Sequence, residues 1–303
     1  MKQGEQTMDL PEETDLPFFS YGIFKPGQLG YFQIKEFVED CSSASIPADL
    51  YERDGIPLLH LSKNRQINGY ILTFSSGNET KAYKKIVATE PDKHYKWDTT
   101  EICNAKVNLL TGKKVGRGCS YYESSEWDGS KDPLFNEALE MIDGILNSKA
   151  DQNENHRHLD YSIGINEIFR LQMAYMLLWS AIERYGSLKY GLKTTPDELK
   201  VKLSQEPAFT NGLQESVKYQ RRVFRTDEPE KNIILDPENP KKSIEYYYQV
   251  RCNVVHRGKT VFNDIDVIRD SLTELLAIFR AMLDESIENS KHIESENIIS
   301  SSN

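Results

Sequence analysis

Arg251 and His256 stand five residues apart in the stretch from Tyr246 to Lys259, and their side chains suit proton transfer beside a phosphate. Five residues correspond to about 140° of rotation on an ideal α-helix, so one helix does not align the two side chains. Asn253 lies three residues before His256 and shares its face. A working site therefore needs either the long reach of Arg251 at the helix end or a second copy of the helix across a two-fold axis.

The chemistry that suits this pair is cleavage of RNA without a metal ion. Histidine exchanges a proton near pH 7, as removal of a 2′-hydroxyl proton or protonation of a leaving group requires. Arginine offers a planar fork of donors to a phosphate as negative charge builds there, and Asn253 can bind a ribose or phosphate oxygen. The alternative is a surface arginine and a histidine that caps its helix, because this spacing also arises by chance.

The stretch from Leu159 to Glu288 resembles the HEPN family, including its Apea-like and abortive-infection members. The resemblance rests on a long helix over 173–186, a variable insert, a segment ending in His-Arg-Gly-Lys and a last amphipathic helix. It implies an all-α up-and-down bundle, a homodimer and an RNA substrate. It also implies that Arg251 and His256 are catalytic, with Asn253 as the polar residue between them.

Two further positions of the matched stretch, Cys252 and Glu183, bear on the expected site. Family members often place the polar residue directly after the arginine, where this chain has Cys252, so Asn253 takes the role from one position further along. An acidic residue of the earlier helix often faces the site, and the resemblance gives that role to Glu183, which can equally pair with a neighbouring Arg or Lys. Some relatives only bind RNA or partners.

A second group of candidate residues follows an apolar segment near the N-terminus, where residues 19–28 are FSYGIFKPGQ. A strand-end turn with Gly22 and Gly27 exposes backbone N–H groups toward a small anionic ligand. Further along the chain, Glu90 stands close in sequence to apolar and aromatic residues, and a half-buried carboxylate suits proton transfer near neutral pH. The alternative is a solvated carboxylate at a helix end.

Residues 16–122 resemble the γ-glutamylcyclotransferase-like fold, which opens with an apolar strand, a Tyr-Gly-x-Leu turn and often Lys-Pro-Gly. The resemblance implies a pocket for a small γ-glutamyl or anionic ligand. It makes Glu90 the acid/base that moves the proton of the substrate's α-amine as 5-oxoproline forms. Phe24 replaces the usual leucine, which narrows the pocket or changes its ligand. The pocket residues that it implies are Tyr21, Gly22, Ile23, Phe24, Lys25, Glu90 and Tyr95.

Strand patterns dominate up to about residue 125. An apolar run over 16–22 predicts a buried strand, and residues 67–74 predict a second one. Apolar and polar residues alternate over 103–109 before Thr111-Gly112, which predicts a strand followed by a hairpin turn. Short helices are expected over 32–40 and 80–89.

Helical periodicity follows a polar linker over 147–155. Apolar residues from Ile168 to Tyr185 and from Ile265 to Met282 recur at steps of three and four, each forming one stripe of a long helix. Another helix is expected over 243–257, with Ser243 as its N-cap and Gly258 just past its end. A connecting helix is expected over 133–148.

The expected fold class is α+β, a small mixed β-barrel or sheet followed by a helical bundle. The expected parts are a flexible N-terminus (1–15), a γ-glutamylcyclotransferase-like domain (16–125), a connecting helix and linker (126–158), a HEPN helical domain (159–290) and a disordered tail (291–303).

Composition narrows the class of protein. The chain has a net charge of -10 and 38% hydrophobic residues, which fits a globular protein and argues against indiscriminate coating of nucleic acid. Residues 215–259 nevertheless hold ten Lys/Arg against seven Asp/Glu, an excess that an ordinary solvated surface can also have. No apolar run approaches the roughly 20 residues that span a bilayer, and the polar N-terminus lacks a secretory signal. Because Cys41, Cys103, Cys119 and Cys252 lack CxxC spacing, we expect reduced thiols, no metal or cofactor and a cytoplasmic protein.

The function expected from these patterns is a metal-independent endoribonuclease with an N-terminal ligand-sensing domain. The HEPN resemblance implies a toxin or an antiphage abortive-infection protein. A second interpretation is a γ-glutamylcyclotransferase with a helical dimerisation domain. A third is an interaction protein without catalytic activity.

Overall fold

The computed structural model describes residues 8–53, 55–90, 92–116, 118–129, 132–148, 160–225, 228–257 and 265–291, with side chains except at 160–165, 256–257 and 291. The described residues are α+β, as predicted. The strands are β1 (Phe18–Ser20), β2 (Val38–Arg53), β3 (Ile56–Phe74), β4 (Tyr95–Ile102), β5 (Ala105–Gly112), β6 (Ser120–Tyr121), β7 (Arg221–Phe224) and β8 (Asn232–Leu235). The α-helices are α1 (Glu79–Thr89), α2 (Glu137–Asn147), α3 (Asp160–Tyr190), α4 (Pro196–Leu203), α5 (Pro207–Ser216), α6 (Pro240–Arg257) and α7 (Ile265–Lys291).

The chain divides into two compact units that are not successive stretches of sequence. Among the described residues, the first unit contains those up to Asp132, together with Gly186–Lys193 and those from Ser286 to Lys291. The second contains Pro133–Tyr185 and Thr194–Glu285. The last turns of α3 and α7 therefore belong to the first unit.

A six-stranded mixed sheet forms the first unit, with the strand order β4-β5-β1-β3-β2-β6. The short strand β1 lies inside this sheet, parallel to β5 and antiparallel to β3. Phe18 and Phe19 of β1 belong to two different apolar clusters, because successive side chains of a strand point to opposite faces. A strand buried on both faces needs an apolar sequence, and the predicted run over 16–22 supplies it.

Three details of the first unit differ from the sequence expectations. The segment 32–40 is not a helix: two 3₁₀ turns, Leu29–Gln33 and Lys35–Phe37, lead directly into β2. The predicted hairpin turn after residues 103–109 is wrong: β5 pairs instead with β4 before it, through a turn at Cys103-Asn104, where both residues have positive φ (50° and 64°). Thr111 and Gly112 are instead the last residues of β5.

The predicted stripes of the long helices are confirmed in the second unit. Every residue of the α3 stripe is buried, and so are the α7 residues Ile268, Leu272, Leu275, Phe279 and Met282. None of the described helices is long and apolar enough to cross a membrane.

Two expectations for the second unit are wrong. It is not all-α, because β7 and β8 form an antiparallel hairpin between α5 and α6. Ser243 is not an N-cap, because α6 begins at Pro240. The Ser243 hydroxyl is instead buried, where it donates to the Asp236 carbonyl oxygen (2.6 Å). Asn239 takes the capping role, since its Oδ1 accepts from the Lys242 N–H (3.1 Å).

Candidate functional site

A pocket opens where β1 ends in the first unit, and its space is about 250 Å³, part of which is open to solvent. Six of the seven residues predicted for this pocket line it: Tyr21, Gly22, Ile23, Phe24, Glu90 and Tyr95. The sheet adds further lining residues that the sequence did not indicate, namely Phe18, Ser20, Pro57 and Leu110. Leu110 reaches the pocket because β5 runs parallel to β1.

The turn after β1 forms one wall of the pocket. Lys25 closes the turn by donating its N–H to the Gly22 carbonyl oxygen (3.2 Å). A Cβ at Gly22 would stand 3.0 Å from Pro57 Cγ, so a side chain there would crowd the pocket wall. The N–H groups of Gly22, Ile23 and Phe24 donate to no other residue that the structure describes. These three amides are the donors that an anionic group of a ligand would meet.

Gly27 does not take part in this arrangement. Its φ is +84°, a conformation that favours glycine, and its N–H donates to the Ser290 carbonyl oxygen (3.2 Å). The expectation that Gly27 exposes its amide toward a ligand is therefore wrong.

Two fully buried tyrosines brace the pocket. The Tyr21 hydroxyl donates to the Leu110 carbonyl oxygen (2.8 Å) and accepts from the Leu59 N–H (3.3 Å). The Tyr95 hydroxyl donates to the Pro57 carbonyl oxygen (2.6 Å). Burial, followed by the negative charge of Glu90, raises the pKa of both phenols well above their ordinary value. Both hydroxyls therefore stay neutral and tie the strands together.

Glu90 is the acidic residue of the pocket lining. It directly follows α1, where its backbone becomes extended and its N–H donates to the Ile86 carbonyl oxygen (3.0 Å). Its side chain is half-buried. The end of a helix thus positions a carboxylate beside two neutral phenols and the amides of the turn.

Lys25 is the one predicted pocket residue that does not line the pocket. Its side chain is buried, and its Nζ donates to Glu126 Oε1 at 2.5 Å. A buried ammonium group needs such a partner. Glu126 lies 101 residues further along the chain, so the local motif carries no sign of this pairing.

Arg251 lies on α6 in the second unit, where residues of α3 and α6 surround its guanidinium group. Its Nη2 is 3.7 Å from Glu183 Oε1, and its Cζ is 5.7 Å from the centre of the Tyr248 ring. Its Nε is buried and has no hydrogen-bond partner among the described residues. The structure therefore brings together Arg251 and Glu183, two of the four residues predicted for this site.

Asn253 and His256 complete the predicted group. Asn253 Nδ2 donates to the Phe224 carbonyl oxygen (2.9 Å), and its Oδ1 accepts from Gln249 Nε2 (2.8 Å). Its amide thus fastens β7 to α6, which does not fit the expected contact with a ribose or phosphate oxygen. His256 lies on α6, one residue before its end, and its side chain is outside the described part of the structure.

Besides Arg251, three of the ten basic residues over 215–259 are paired with carboxylates. Arg221 is paired with the largely buried Glu274. Arg225 and Lys231 both pair with Glu228. Of these three cations, Arg221 is paired with a carboxylate from outside the segment, whereas Glu228 is already counted among the segment's seven acidic residues.

Tyr248 is a neighbour of Arg251 that the sequence did not single out. Lys200 of α4 places its Nζ 4.6 Å from the centre of the Tyr248 ring, so two cations approach this ring. Trp179 of α3 packs edge-on against it, with ring centres 5.4 Å apart. Tyr248 thus fixes the position of Arg251 on the surface of α6.

Within the described ranges, no group of three or more His, Cys, Asp or Glu side chains could bind a metal ion. No family model matches the chain, and no curated protein or solved structure matches it either.

Proposed function

We propose that the chain is a metal-independent HEPN-type endoribonuclease that acts as a homodimer, with a γ-glutamylcyclotransferase-like first unit that binds a regulatory ligand. The observation that carries the ribonuclease is the guanidinium group of Arg251, placed by Tyr248 and Glu183 with its Nε unpaired, one helix turn and a half before His256. The Arg251 side chain is 22% exposed, and its planar set of donors suits a phosphate. The family implies a role as a cytoplasmic toxin or antiphage abortive-infection protein.

The cleavage step assigns one task to each residue. His256 removes the proton of a ribose 2′-hydroxyl, and the 2′-oxygen attacks the adjacent phosphorus. The bond from phosphorus to the 5′-oxygen breaks, and this oxygen takes a proton from the histidine of the second copy. Arg251 binds the phosphate while its negative charge grows. The products are a 2′,3′-cyclic phosphate and a 5′-hydroxyl end.

The test is incubation of the full chain with RNA in the presence of a chelator. We expect fragments with cyclic phosphate ends from the wild type, and a loss of about 100-fold or more in rate for Arg251→Ala and His256→Ala. Arg222→Ala, an exposed position on β7, is the matched control and should cleave normally. The proposal would be contradicted if the wild type and the three variants cleaved RNA equally, or if none of the four proteins cleaved RNA.

A second candidate function is γ-glutamyl cyclotransfer in the first unit, and the pocket that joins Glu90 to the free amides of the turn favours it. The α-amine of a γ-glutamyl substrate would attack the γ-carbonyl carbon and pass a proton to Glu90. The amide C–N bond would then break, and Glu90 would return the proton to the departing amine. The products would be 5-oxoproline and a free amine.

This second function has its own assay, the release of 5-oxoproline from γ-glutamyl dipeptides. We expect Glu90→Gln to abolish release, whereas Glu101→Gln, an exposed change on β4, should not. Equal release by wild type and Glu90→Gln would remove the candidate. No release from any dipeptide would leave the pocket with a binding role.

A further inference from the structure

Ser20 is the last residue of β1, and its side chain lines the pocket. The residue is 1% exposed, and its Oγ has no hydrogen-bond partner among the residues that the structure describes. The backbone of Ser20 pairs in register with Tyr70 of β3, and that pairing does not depend on the side chain. The hydroxyl is therefore buried without a structural task.

Such a hydroxyl is unusual. Removing a hydroxyl from water without giving it a partner is unfavourable, and the large majority of buried polar side-chain atoms are hydrogen-bonded. Alanine would fill the same place without this cost. An unpaired hydroxyl in a pocket wall thus calls for a partner that enters the pocket.

The neighbouring groups have other partners or do not pair with this hydroxyl. The hydroxyls of Tyr21 and Tyr95 already donate to backbone carbonyl oxygens across the sheet. The turn after Ser20 presents the N–H groups of Gly22, Ile23 and Phe24, which donate to no residue that the structure describes. Donors thus collect at the end of β1, while the carboxylate of the pocket belongs to Glu90 at the end of α1.

We propose that Ser20 is a specificity-determining residue whose hydroxyl donates to the α-carboxylate of a small amino-acid-like ligand. The amine of that ligand lies at Glu90, because the charge of each group then meets its complement. This inference rests on the proposed function in which the pocket binds a γ-glutamyl or anionic ligand, and it adds the residue that recognises the carboxylate.

Removal of the Ser20 hydroxyl should affect stability and ligand affinity in opposite directions. Removing the hydroxyl by Ser20→Ala takes away an unsatisfied polar group, so the unliganded protein should unfold at the same or a higher urea concentration. Affinity for the ligand should fall, because the carboxylate loses a donor. A purely structural serine would produce the reverse, with lower stability and unchanged affinity.

Calorimetric titration of the full chain with three matched probes tests the proposal. All three probes keep the carboxylate of glycine. Glutarylglycine also has the carboxylate at the glutamyl α-position but lacks the α-amine and cannot form 5-oxoproline, 4-aminobutyrylglycine has the amine but lacks that α-carboxylate, and γ-glutamylglycine has both. We expect Ser20→Ala to bind glutarylglycine about 10-fold more weakly than the wild type does. Binding of 4-aminobutyrylglycine should not change. Ser45→Ala, an exposed serine on β2, is the matched control.

The outcomes separate this proposal from the function on which it rests. Equal affinity of wild type and Ser20→Ala for glutarylglycine would overturn the role of Ser20 and leave the pocket as a binding site. No binding of any probe to the wild type would overturn the role of Ser20 and the ligand-binding function together. Weaker binding by Ser20→Ala with undiminished stability would support the proposal.

Discussion

Glu183 on α3 and Arg251 on α6 approach to 3.7 Å, which positions the arginine proposed to bind RNA. The pair is long and the Glu183 side chain is half-exposed, so Glu183→Gln should change the free energy of unfolding by less than about 1 kcal/mol. The effect on the orientation of the Arg251 side chain should be larger than the effect on stability. We expect kcat for RNA cleavage to fall about 10-fold with little change in KM, as loss of a positioning interaction predicts.

Cleavage kinetics and urea unfolding of the same protein preparation measure both effects. Glu215→Gln, an exposed change on α5, is the control and should leave both quantities unchanged. An unchanged kcat in Glu183→Gln would show that the carboxylate does not position Arg251.

A buried ion pair between Arg221 and Glu274 fastens β7 to α7. Arg221 Nη1 lies 2.8 Å from Glu274 Oε1, and Tyr247 donates its hydroxyl to the other carboxylate oxygen (3.0 Å). Arg221→Met leaves a carboxylate buried without its cation, so we expect a loss of about 3–5 kcal/mol in the free energy of unfolding. Arg221→Met/Glu274→Leu should lose less than Arg221→Met alone, since it removes the isolated charge. A double variant that loses the sum of the two single losses would contradict this coupling.

The buried tyrosines of the pocket make stability depend on alkaline pH. Burial and then the charge of Glu90 raise the pKa of Tyr21 and Tyr95 in the folded protein above the ordinary value of about 10. Above that pH the unfolded chain loses protons that the folded protein keeps. The contribution of these two tyrosines to stability should therefore be constant below about pH 10 and fall above it, each tyrosine contributing up to about 1.4 kcal/mol per pH unit.

Tyr95→Phe isolates one of these contributions. The variant also loses the hydrogen bond to Pro57, so the informative quantity is the slope of unfolding free energy against pH rather than its absolute value. We expect the slope above about pH 10 to be smaller by about 1.4 kcal/mol per pH unit, measured by urea unfolding. An identical slope in variant and wild type would mean that Tyr95 ionises equally in both states.

The elements that could be predicted from the sequence are those with a local pattern. The stripes of α3 and α7 follow from steps of three and four, and β1 follows from an apolar run. The strand β2 escaped prediction because its first half is polar and largely exposed, so it shows no alternation. The turn between β4 and β5 was not predicted, because Cys103-Asn104 lacks the usual glycine although both residues adopt positive φ.

The pocket residues that could be predicted from the sequence are likewise those with a local pattern. Tyr21 to Phe24 are adjacent in sequence, so a motif could place them together. Lys25 lies outside the pocket because its side chain pairs with Glu126, which is distant in sequence. The unpaired hydroxyl of Ser20 is known only from the positions of all the segments that surround it. Such long-range facts have no signal in a local pattern. Arg251 was indicated by residue type and spacing, whereas Glu183 was indicated only by the family resemblance.

Gly69 allows β3 to pass close to β1 beside the pocket. A Cβ at this position would lie 2.5 Å from the Ser20 carbonyl oxygen and 2.7 Å from Phe19 Cζ. Neither neighbour can move easily, because one is backbone and the other belongs to a fully buried ring. Gly69→Ala should therefore destabilise the protein by about 1–3 kcal/mol, as overpacking of a core does, and shift the end of β1.

Gly144 provides the matched control for Gly69. Gly144 lies inside α2, and a Cβ there would meet nothing within 4 Å. Gly144→Ala should stabilise the protein by about 0.5–1 kcal/mol, because alanine loses less conformational freedom in a helix. Urea unfolding measures both changes, and glutarylglycine titration should show weaker binding only for Gly69→Ala. A Gly69→Ala protein with wild-type stability would mean that β1 and β3 are further apart than the structure places them.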